Sequence, residues 1–294
     1  MTTSQTSKYP RPPFPPQDVG QPPGLEQAMS PRPQYQAAAY RAAGKLEGRV
    51  ALITGGDSGI GRSVAVLFAR EGADVAFTYL AEEEADARET AAAVEAEGRS
   101  AMPLEGDVRD PKRCQAIVDE TVRQFGRLDI LVNNSAYQQH QETIEDITLE
   151  QWEQTFRTNI FGYFYMVKAA RPHLKRGGAI INTGSITGLD GSPSLIDYSS
   201  TKGAIHAFTK SLAQNLVKQG IRVNCVAPGP VWTPLNPAER SDDETRAFGE
   251  DTPLGRPAQP EEIAPAFVFF ASEADSSYIT GEVLTLLGGG TTAG

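Results

Sequence analysis

The sequence contains only two cysteines among its 294 residues, Cys114 and Cys225, and they lie far apart in different predicted elements. So few thiols at so wide a spacing disfavour both a disulfide framework and a thiolate metal site. Cys225 lies in an apolar stretch, which favours a buried thiol over a nucleophile. Histidines are equally scarce. Because His140, His173 and His206 lack metal-ligand spacing, we predict no metal site and assign them surface or packing roles.

Basic residues are outnumbered, with 27 Lys and Arg against 37 Asp and Glu, which gives a formal net charge of −10. Phosphate backbones are bound by clustered Lys and Arg, so we expect no nucleic-acid partner, and the acidic excess indicates a solvated surface. No apolar run approaches the ~20 residues that span a bilayer, and no signal-peptide pattern is present. We therefore expect no membrane partner and a reducing cytoplasm as the compartment.

Residues 1–45 lack apolar periodicity and are rich in Pro, Gln and Ser. Prolines fix φ and remove amide donors, which favours extended backbone. We predict an irregular N-terminal extension that has no secondary structure of its own but lies ordered along the domain through Phe14, Met29, Tyr35 and Tyr40. A disordered leader remains the alternative, above all before residue 22. Because no catalytic position is predicted here, deletion should affect stability or assembly and leave the chemistry intact.

Short apolar stretches alternate with segments of helical spacing in the rest of the chain. The predicted strands are 50–54, 75–79, 130–133, 179–183, 221–227 and 283–287, with a weaker one at 101–105, and the predicted helices include 63–71, 82–97, 111–125 and 198–219. This alternation indicates parallel βαβ units. We predict one α/β domain over 46–294, a Rossmann-type doubly wound parallel sheet of about seven strands with helices on both faces. A Pro-, Asp- and Glu-rich stretch at 235–260 predicts a substrate loop with a short helix over the carboxyl edge.

A glycine turn, Thr-Gly-Gly-Asp-Ser-Gly-Ile-Gly-Arg at 54–62, lies between the first predicted strand and the first predicted helix. Gly55 can adopt the positive φ of a tight turn, Gly59 lets the backbone approach a pyrophosphate, and Gly61 lets the helix pack closely on the strand. The helix N-terminus offers unpaired amides and a partial positive charge to phosphates. Many glycine clusters are plain loops, but at this place in a βαβ unit a nucleotide site is favoured.

The Gly-x3-Gly-x-Gly spacing resembles the cofactor motif of the short-chain dehydrogenases/reductases, and further motifs follow in that family's order. Gly-Asp-Val at 106–108 looks like its adenine-contacting segment, Asn-Asn-Ser-Ala at 133–136 like its Asn-Asn-Ala-Gly motif, and Pro-Gly-Pro-Val-Trp-Thr at 228–233 like its Pro-Gly-x-x-x-Thr segment. The Gly-Gly-Asp-Ser-Gly-Ile-Gly-Arg form with a Pro-rich leader is most similar to the glucose/ribitol dehydrogenase-like branch. The resemblance covers about 45–290 and implies NAD(P) binding by Gly55, Asp57, Ser58, Gly59, Ile60, Gly61, Tyr79, Asp107, Val108, Asn133, Ser135, Ala136, Thr183, Tyr198, Lys202, Pro228, Gly229, Val231 and Thr233.

The sequence departs from the family pattern at two places. Ser135 and Ala136 replace the usual Ala-Gly, which adds a hydroxyl and a methyl group beside the expected cofactor. The second predicted strand ends in Thr-Tyr-Leu at 78–80, without the Asp typical of NAD enzymes or the basic residue typical of NADP enzymes. No cation lies at 58, 79 or 80, and carboxylates at 57 and 82–84 would repel a ribose phosphate, so we predict NAD. Arg62 could still serve a phosphate, which leaves NADP open.

Tyr198 and Lys202 lie four residues apart at the start of a predicted helix, so both side chains share one face. A phenol with a pKa of ~10 is a poor base at neutral pH, and a nearby ammonium lowers that pKa. Ser185 follows a predicted strand and can stabilise negative charge on a carbonyl oxygen. Taken singly these are more often ordinary surface or turn residues, but the resemblance makes them catalytic. It adds Asn159 as the residue that fixes a water linking Lys202 to solvent, with a helix-surface amide as the alternative.

The sequence thus predicts an oxidoreductase that transfers a hydride between nicotinamide and an alcohol or carbonyl substrate such as a sugar, a polyol or a small aldehyde or ketone. A catalytically silent nucleotide-binding sensor or scaffold remains an alternative, which the four filled catalytic positions disfavour. An epimerase or dehydratase is disfavoured by the glycine spacing. The resemblance also implies a homotetramer that uses the long helices after the fourth and fifth strands. The apolar run 160–167 fits burial by the sheet on one side and by a partner on the other.

Overall fold

Seven short apolar stretches form one parallel sheet in a computed structural model that describes residues 8–292. The strands are β1 (Val50–Ile53), β2 (Asp74–Tyr79), β3 (Ala101–Glu105), β4 (Ile130–Asn133), β5 (Ala179–Thr183), β6 (Arg222–Pro228) and β7 (Val283–Leu286). They lie in the order β3-β2-β1-β4-β5-β6-β7, and every neighbouring pair is parallel. The predicted Rossmann-type sheet is confirmed, and each predicted strand boundary is within one residue of the observed one.

Helices cover both faces of the sheet. They are α1 (Gly59–Arg70), α2 (Glu84–Ala96), α3 (Pro111–Phe125), α4 (Leu149–Phe156), α5 (Gly162–Ala170), α6 (Thr187–Asp190), α7 (Ile196–Leu216), α8 (Asp242–Arg246), α9 (Pro260–Ala271) and α10 (Glu273–Ser276), and a π-helical turn, Arg157–Phe161, joins α4 to α5. The first helix begins four residues before its predicted start, because its first turn contains two glycines that hide the helical pattern. In residues 8–292 no helix is both long and apolar enough to cross a membrane.

The hydrophobic core lies on both faces of the sheet, because successive strand residues point to opposite sides. Ile53 of β1 faces a cluster with Phe68 of α1 and Phe267 of α9, whereas Leu52 faces a second cluster built on α3, α5 and α7. All four residues of β1 are buried, as is typical of a parallel strand with helices on both sides. The sheet order reverses at β1, which pairs with β2 on one side and β4 on the other. Such a switch point opens a crevice at the carboxyl ends of the strands.

Residues 8–45, which we call the strap, run along the outside of the sheet domain. Their one helical element among the described residues is a 3-10 turn, Glu26–Ala28, a small correction to the prediction of no secondary structure. Phe14 stacks on Trp232 with 4.1 Å between ring centroids, and Met29 and Phe248 belong to the same buried cluster. The strap and the segment that follows β6 therefore form a small hydrophobic cluster, separate from the two clusters on the faces of the sheet.

Polar contacts hold the second half of the strap. The Tyr35 hydroxyl donates to Glu89 at 3.2 Å, and the Tyr40 hydroxyl donates to Glu71. The four aromatic and Met side chains named from the sequence therefore all contact the domain. Near its end, the strap donates the Ala37 amide to the Glu261 carboxylate of α9 at 2.6 Å.

Candidate active site

A cleft of about 620 Å³ opens at the carboxyl edge of the sheet beside the switch point. The glycine turn forms one wall, and the segment from 231 to 248 forms a second wall next to it. The ends of β2 to β6 contribute the floor between them. The elements that carried the sequence motifs therefore meet in one cavity large enough for a dinucleotide and a small substrate.

The glycine turn has the geometry that the sequence predicted for it. Gly55 and Gly59 adopt positive φ values of 62° and 50°. A Cβ on Gly61 would lie 1.9 Å from the Gly55 carbonyl oxygen, so only glycine permits α1 to pack this closely on the turn. Within residues 8–292 the amides of Ile60 and Gly61 have no protein partner, and they stand at the N-terminus of α1. Free amides at a helix N-terminus fit the phosphates of a dinucleotide.

Glu26 of the strap and Arg62 of α1 form a buried ion pair behind the glycine turn. The Glu26 carboxylate accepts from the Gly59 amide and from Arg62 Nη1, each at 2.6 Å. Arg62 Nη2 also lies 3.2 Å from the Asp86 carboxylate, and its Nε donates to the Asp57 carbonyl at 2.8 Å. Burial raises the pKa of Glu26 to about 7, against the opposing effect of Arg62. Arg62 is fully buried and directed away from the cleft.

Two carboxylates lie at the end of the cleft where β2 finishes. Asp57 Oδ2 has no hydrogen-bond partner in the described chain, and Glu83 accepts from the Leu80 amide at 2.8 Å. Burial raises the pKa of Asp57 to about 6, and burial together with the charge of Asp57 raises that of Glu83 to about 9. At neutral pH the pair therefore shares about one proton and keeps about one negative charge. Tyr79 and Leu80 complete this end of the cleft.

The motif after β4 divides into structural and cleft-facing residues. Asn133 was assigned to the cofactor, but it is fully buried outside the cleft, where its amide donates to Asn182 of β5 at 2.9 Å. Asn134, which the sequence analysis did not select, lines the cleft and donates to the Gly55 carbonyl at 2.9 Å. Ser135 fits in place of the family's Ala because its Oγ approaches a glycine: a Cβ on Gly55 would lie 3.1 Å from it.

Tyr198, Lys202 and Ser185 converge on the cleft from α7 and the end of β5. Lys202 Nζ lies 5.2 Å from the centre of the Tyr198 ring and donates to the Thr183 carbonyl at 2.8 Å. Burial raises the pKa of Tyr198 above its ordinary value, whereas a hydrogen bond with Ser185 lowers it. Burial also lowers the pKa of Lys202 to about 8. The Thr187 hydroxyl donates to Ser185 Oγ at 3.0 Å and so orients it.

Asn159 lies in the π-helical turn and is fully buried, so the alternative of a helix-surface amide is wrong. Its side chain accepts from the Tyr137 amide at 2.8 Å and donates to the Tyr137 carbonyl at 2.9 Å and to Thr201 at 3.0 Å. It does not line the cleft. The side chain thus holds the loop after β4 against α7.

The outer part of the cleft carries a polar wall that the sequence analysis missed. Glu239 accepts from the Gln138 amide at 2.8 Å and contacts His140 Nδ1 at 2.5 Å, and Arg240 Nη2 lies 3.1 Å from His140 Nε2. Because Arg240 can only donate, Nε2 accepts and Nδ1 carries the proton shared with Glu239. Asn236 also lines this wall. His140 therefore has a place in the site, whereas the sequence analysis assigned it to the surface or to packing.

Most of the residues selected from the sequence line this one cleft. They are Gly55, Asp57, Ser58, Gly59, Ile60, Tyr79, Asp107, Val108, Ser135, Ala136, Thr183, Ser185, Tyr198, Lys202, Pro228, Gly229, Val231 and Thr233. Gly61, Asn133 and Asn159 do not line it. The expected adenine contact, Asp107, is paired with Arg109, which itself lines the cleft. Trp232, which belongs to the 228–233 motif, is fully buried under the strap and does not line the cleft.

A parallel sheet that carries a glycine turn at its switch point, with a buried tyrosine and lysine beside it, defines the class of nicotinamide-dependent oxidoreductases. A family model described as enoyl-(acyl carrier protein) reductase, one of the short-chain dehydrogenase/reductase models, matches residues 55–291. This chain belongs to the short-chain dehydrogenase/reductase family.

Its relatives include proteins of the branch that the sequence indicated. The chain is 49% identical to glucose and ribitol dehydrogenase of Daucus carota, over 94% of this chain and 96% of that one. It is 48% identical to the chloroplastic NADPH-dependent aldehyde reductase 1 of Arabidopsis thaliana, over 91% and 94% of the two chains. A solved short-chain dehydrogenase from Burkholderia cenocepacia, in complex with NADP, superposes with a TM-score of 0.77 at 33% identity and covers 83% of this chain and 98% of its own.

Proposed function

We propose that this protein transfers a hydride between NAD(H) and an alcohol or carbonyl carbon, with Tyr198 as general acid/base. The observation that carries the proposal is the meeting of Tyr198, Lys202 and Ser185 in the cleft that the glycine turn borders. A bound nicotinamide supplies the hydride donor or acceptor. The glycine turn, Thr233 and the segment 228–231 would hold that cofactor.

The protein's own residues perform the proton chemistry. Burial alone favours a neutral Tyr198, which suits the donation of a proton to a reduced substrate oxygen. In the oxidative direction the phenolate is needed, and the positive charge of Lys202 at 5.2 Å favours it. The Ser185 hydroxyl stabilises negative charge on the same substrate oxygen. Lys202 loses its charge as the pH rises through about 8, so this support weakens above that pH.

NAD(H) is favoured over NADP(H) by the charges at the β2 end of the cleft. Arg62, the cation that could have served a ribose phosphate, is held by Glu26 and Asp86 behind the turn. The Asp57–Glu83 pair retains negative charge facing the cleft. Arg109 is already paired with Asp107. NADP(H) is the competing cofactor, because the Arabidopsis thaliana relative is named an NADPH-dependent reductase and the Burkholderia cenocepacia structure is in complex with NADP.

The polar wall of Gln138, His140, Glu239 and Arg240 supports a hydroxyl-bearing substrate, such as a sugar or polyol or the corresponding aldehyde. Both cysteines are free and buried, which fits our proposal of the reducing cytoplasm as the compartment. We also propose a homotetramer, in which the exposed aromatic side chains of α4 and α5 contact a partner subunit.

Titration of the purified protein with NADH and NADPH, followed by cofactor fluorescence, tests the cofactor. Tighter binding of NADH is expected, and markedly tighter NADPH binding would overturn the NAD assignment. A panel of sugars, polyols and aldehydes assayed at 340 nm then tests the reaction. If the protein binds its cofactor tightly but turns over no compound of this panel, the result would favour a catalytically silent nucleotide-binding sensor.

A further inference from the structure

The strap contacts both walls of the cleft, beginning with the segment from 231 to 248. The Trp232 indole donates to the Pro31 carbonyl at 2.8 Å, and the Phe14 amide donates to the Arg246 carbonyl at 3.0 Å. A Cβ on Gly24 would lie 2.9 Å from the Pro234 carbonyl oxygen, so the strap passes this segment in direct contact. The strap is therefore in direct contact with the segment 231–248, which lines the cleft.

The second contact is made at the glycine turn. Helix α1 begins after Ser58, whose side chain makes no capping hydrogen bond. Glu26, fully buried, performs that capping role by accepting from the Gly59 amide at 2.6 Å. Because a helix N-terminus needs acceptors for its first amides, the position of Glu26 helps to fix the position of the turn.

The strap also borders the cleft itself. Pro22 and Pro23 line it, and Glu26 follows three residues later. One short stretch thus contacts the substrate-side wall at Gly24, the interior at the prolines and the phosphate-binding turn at Glu26. Glu26 neutralises Arg62 at the same time, so its carboxylate adds no unpaired negative charge near the phosphates.

We propose that Glu26 is a positioning residue of the cofactor site, which sets the glycine turn from the strap and thereby determines how tightly and how long the cofactor is held. The inference rests on the proposed function, because it requires a dinucleotide in this cleft. Without the carboxylate, the Gly59 amide loses its acceptor and Arg62 keeps fewer anionic partners. The glycine turn then loses its fixed conformation, and the amides of Ile60 and Gly61 are no longer oriented towards a common phosphate position.

The test compares the full-length protein with three variants by fluorescence titration of NADH and NADPH and by stopped-flow displacement of bound cofactor. Glu26→Ala should raise the Kd of the preferred cofactor at least tenfold and speed its dissociation, with the cofactor KM raised and kcat changed less than threefold. Glu26→Gln keeps an oxygen that accepts from Gly59 but places its NH2 group against Arg62 Nη1, so its Kd should lie between those of wild type and Glu26→Ala. Glu261→Ala is the matched control, since Glu261 holds the strap at the Ala37 amide outside the cleft.

Equal Kd values for wild type and a folded Glu26→Ala protein would overturn the inference, as would an equal loss of cofactor affinity in Glu261→Ala. If Glu26→Ala does not fold, Glu26→Asp replaces it, because its side chain is one methylene shorter and its carboxylate no longer reaches the Gly59 amide. This variant should likewise raise the Kd of the preferred cofactor and speed its dissociation. Wild-type protein that binds neither NADH nor NADPH would instead overturn the proposed function, and this inference with it. The two failures are therefore distinguishable.

Discussion

Tyr198 is the residue on which the proposed chemistry depends most directly. Tyr198→Phe removes only the hydroxyl, and the ring keeps its buried place beside Lys202. We expect turnover to fall at least a thousandfold, in line with the loss of general acid/base catalysis together with its hydrogen bonds. NADH affinity should stay within threefold and the melting temperature within about 2 °C. A variant that reduces the same carbonyl substrate at nearly the wild-type rate would refute the role of Tyr198.

The buried Glu83 is expected to make the stability of the protein depend on pH. Burial raises the pKa of Glu83 from 4.5 to about 9, so between these values the folded protein binds more protons than the unfolded chain. The free energy of unfolding therefore falls as the pH rises through this range. Glu83→Gln removes the titration and keeps an oxygen that accepts from the Leu80 amide. At pH 9 we expect the variant to melt roughly 2–4 °C above wild type, which corresponds to about 1 kcal/mol, with the difference vanishing near pH 5.

Thermal denaturation across this pH range measures the effect. Glu84→Gln is the control, because Glu84 is exposed and pairs with Arg88 of its own helix. A constant difference between Glu83→Gln and wild type at all pH values would show that Glu83 does not titrate as proposed.

At the level of elements, the motif after β4 shows what a sequence pattern can and cannot resolve. The pattern located the end of β4 to the residue, because a fully buried strand needs an unbroken apolar run. It could not tell which of two adjacent asparagines faces the cleft, since that depends on how β4 pairs with β5. The pairing of Asn133 with Asn182 turns the first side chain into the sheet and leaves Asn134 beside the glycine turn.

The same limit applies to Glu26 and to the polar wall. Glu26 lies 33 residues from the amide it caps, and Glu239 lies 99 residues from His140. Neither carries a local pattern, because both contacts exist only after distant segments have packed. The Pro-, Asp- and Glu-rich composition of 235–260 predicted a loop with a short helix, which is observed as α8, but it did not predict the polar wall.

The two asparagines can be separated by mutation. Asn133→Ala leaves the buried Asn182 amide oxygen without its donor, which should cost about 1–3 kcal/mol of stability with little change in NADH affinity. Asn134→Ala removes the support of the Gly55 carbonyl and should weaken NADH binding several-fold at nearly unchanged stability. Denaturant unfolding and fluorescence titration of both variants test the pair. The reverse assignment of effects would return Asn133 to the cofactor site.

For the molecule as a whole, the strap predicts the effect of truncation. Deletion of residues 1–44 removes Phe14, Val19 and Met29 from a buried cluster, and each such side chain contributes roughly 1.5–3 kcal/mol when fully buried. We expect a clear loss of melting temperature and, through Glu26, a weaker cofactor affinity, so the sequence-based expectation of unaffected chemistry now applies to kcat only. Melting curves and the cofactor KM measure both effects. A truncated protein with wild-type stability would show that the strap does not stabilise the domain.

Assembly is the second prediction at this scale. Phe161 and Phe164 are about half exposed on α5 and its preceding turn, whereas Tyr163 between them is buried. This division fits the expected burial of one side by the domain and the other by a partner. Sedimentation should show a tetramer for wild type and smaller species for Phe164→Asp. Tyr278→Asp, on a fully exposed aromatic elsewhere, is the control and should remain tetrameric. A monomeric wild type at micromolar concentration would contradict the proposal.

The stacking of Phe14 on Trp232 has a consequence for biosynthesis. A chain emerges from the ribosome from its N-terminus, so the strap is exposed before the sheet domain that follows it. Its partners at Trp232, Arg246 and Glu261 are made more than two hundred residues later. Contacts of such long sequence separation form late in folding, because they require the intervening chain to be ordered first. The part of the strap around Phe14 therefore lacks these native partners until the segment after β6 has been made, and its low apolar content limits the hydrophobic surface that is exposed meanwhile.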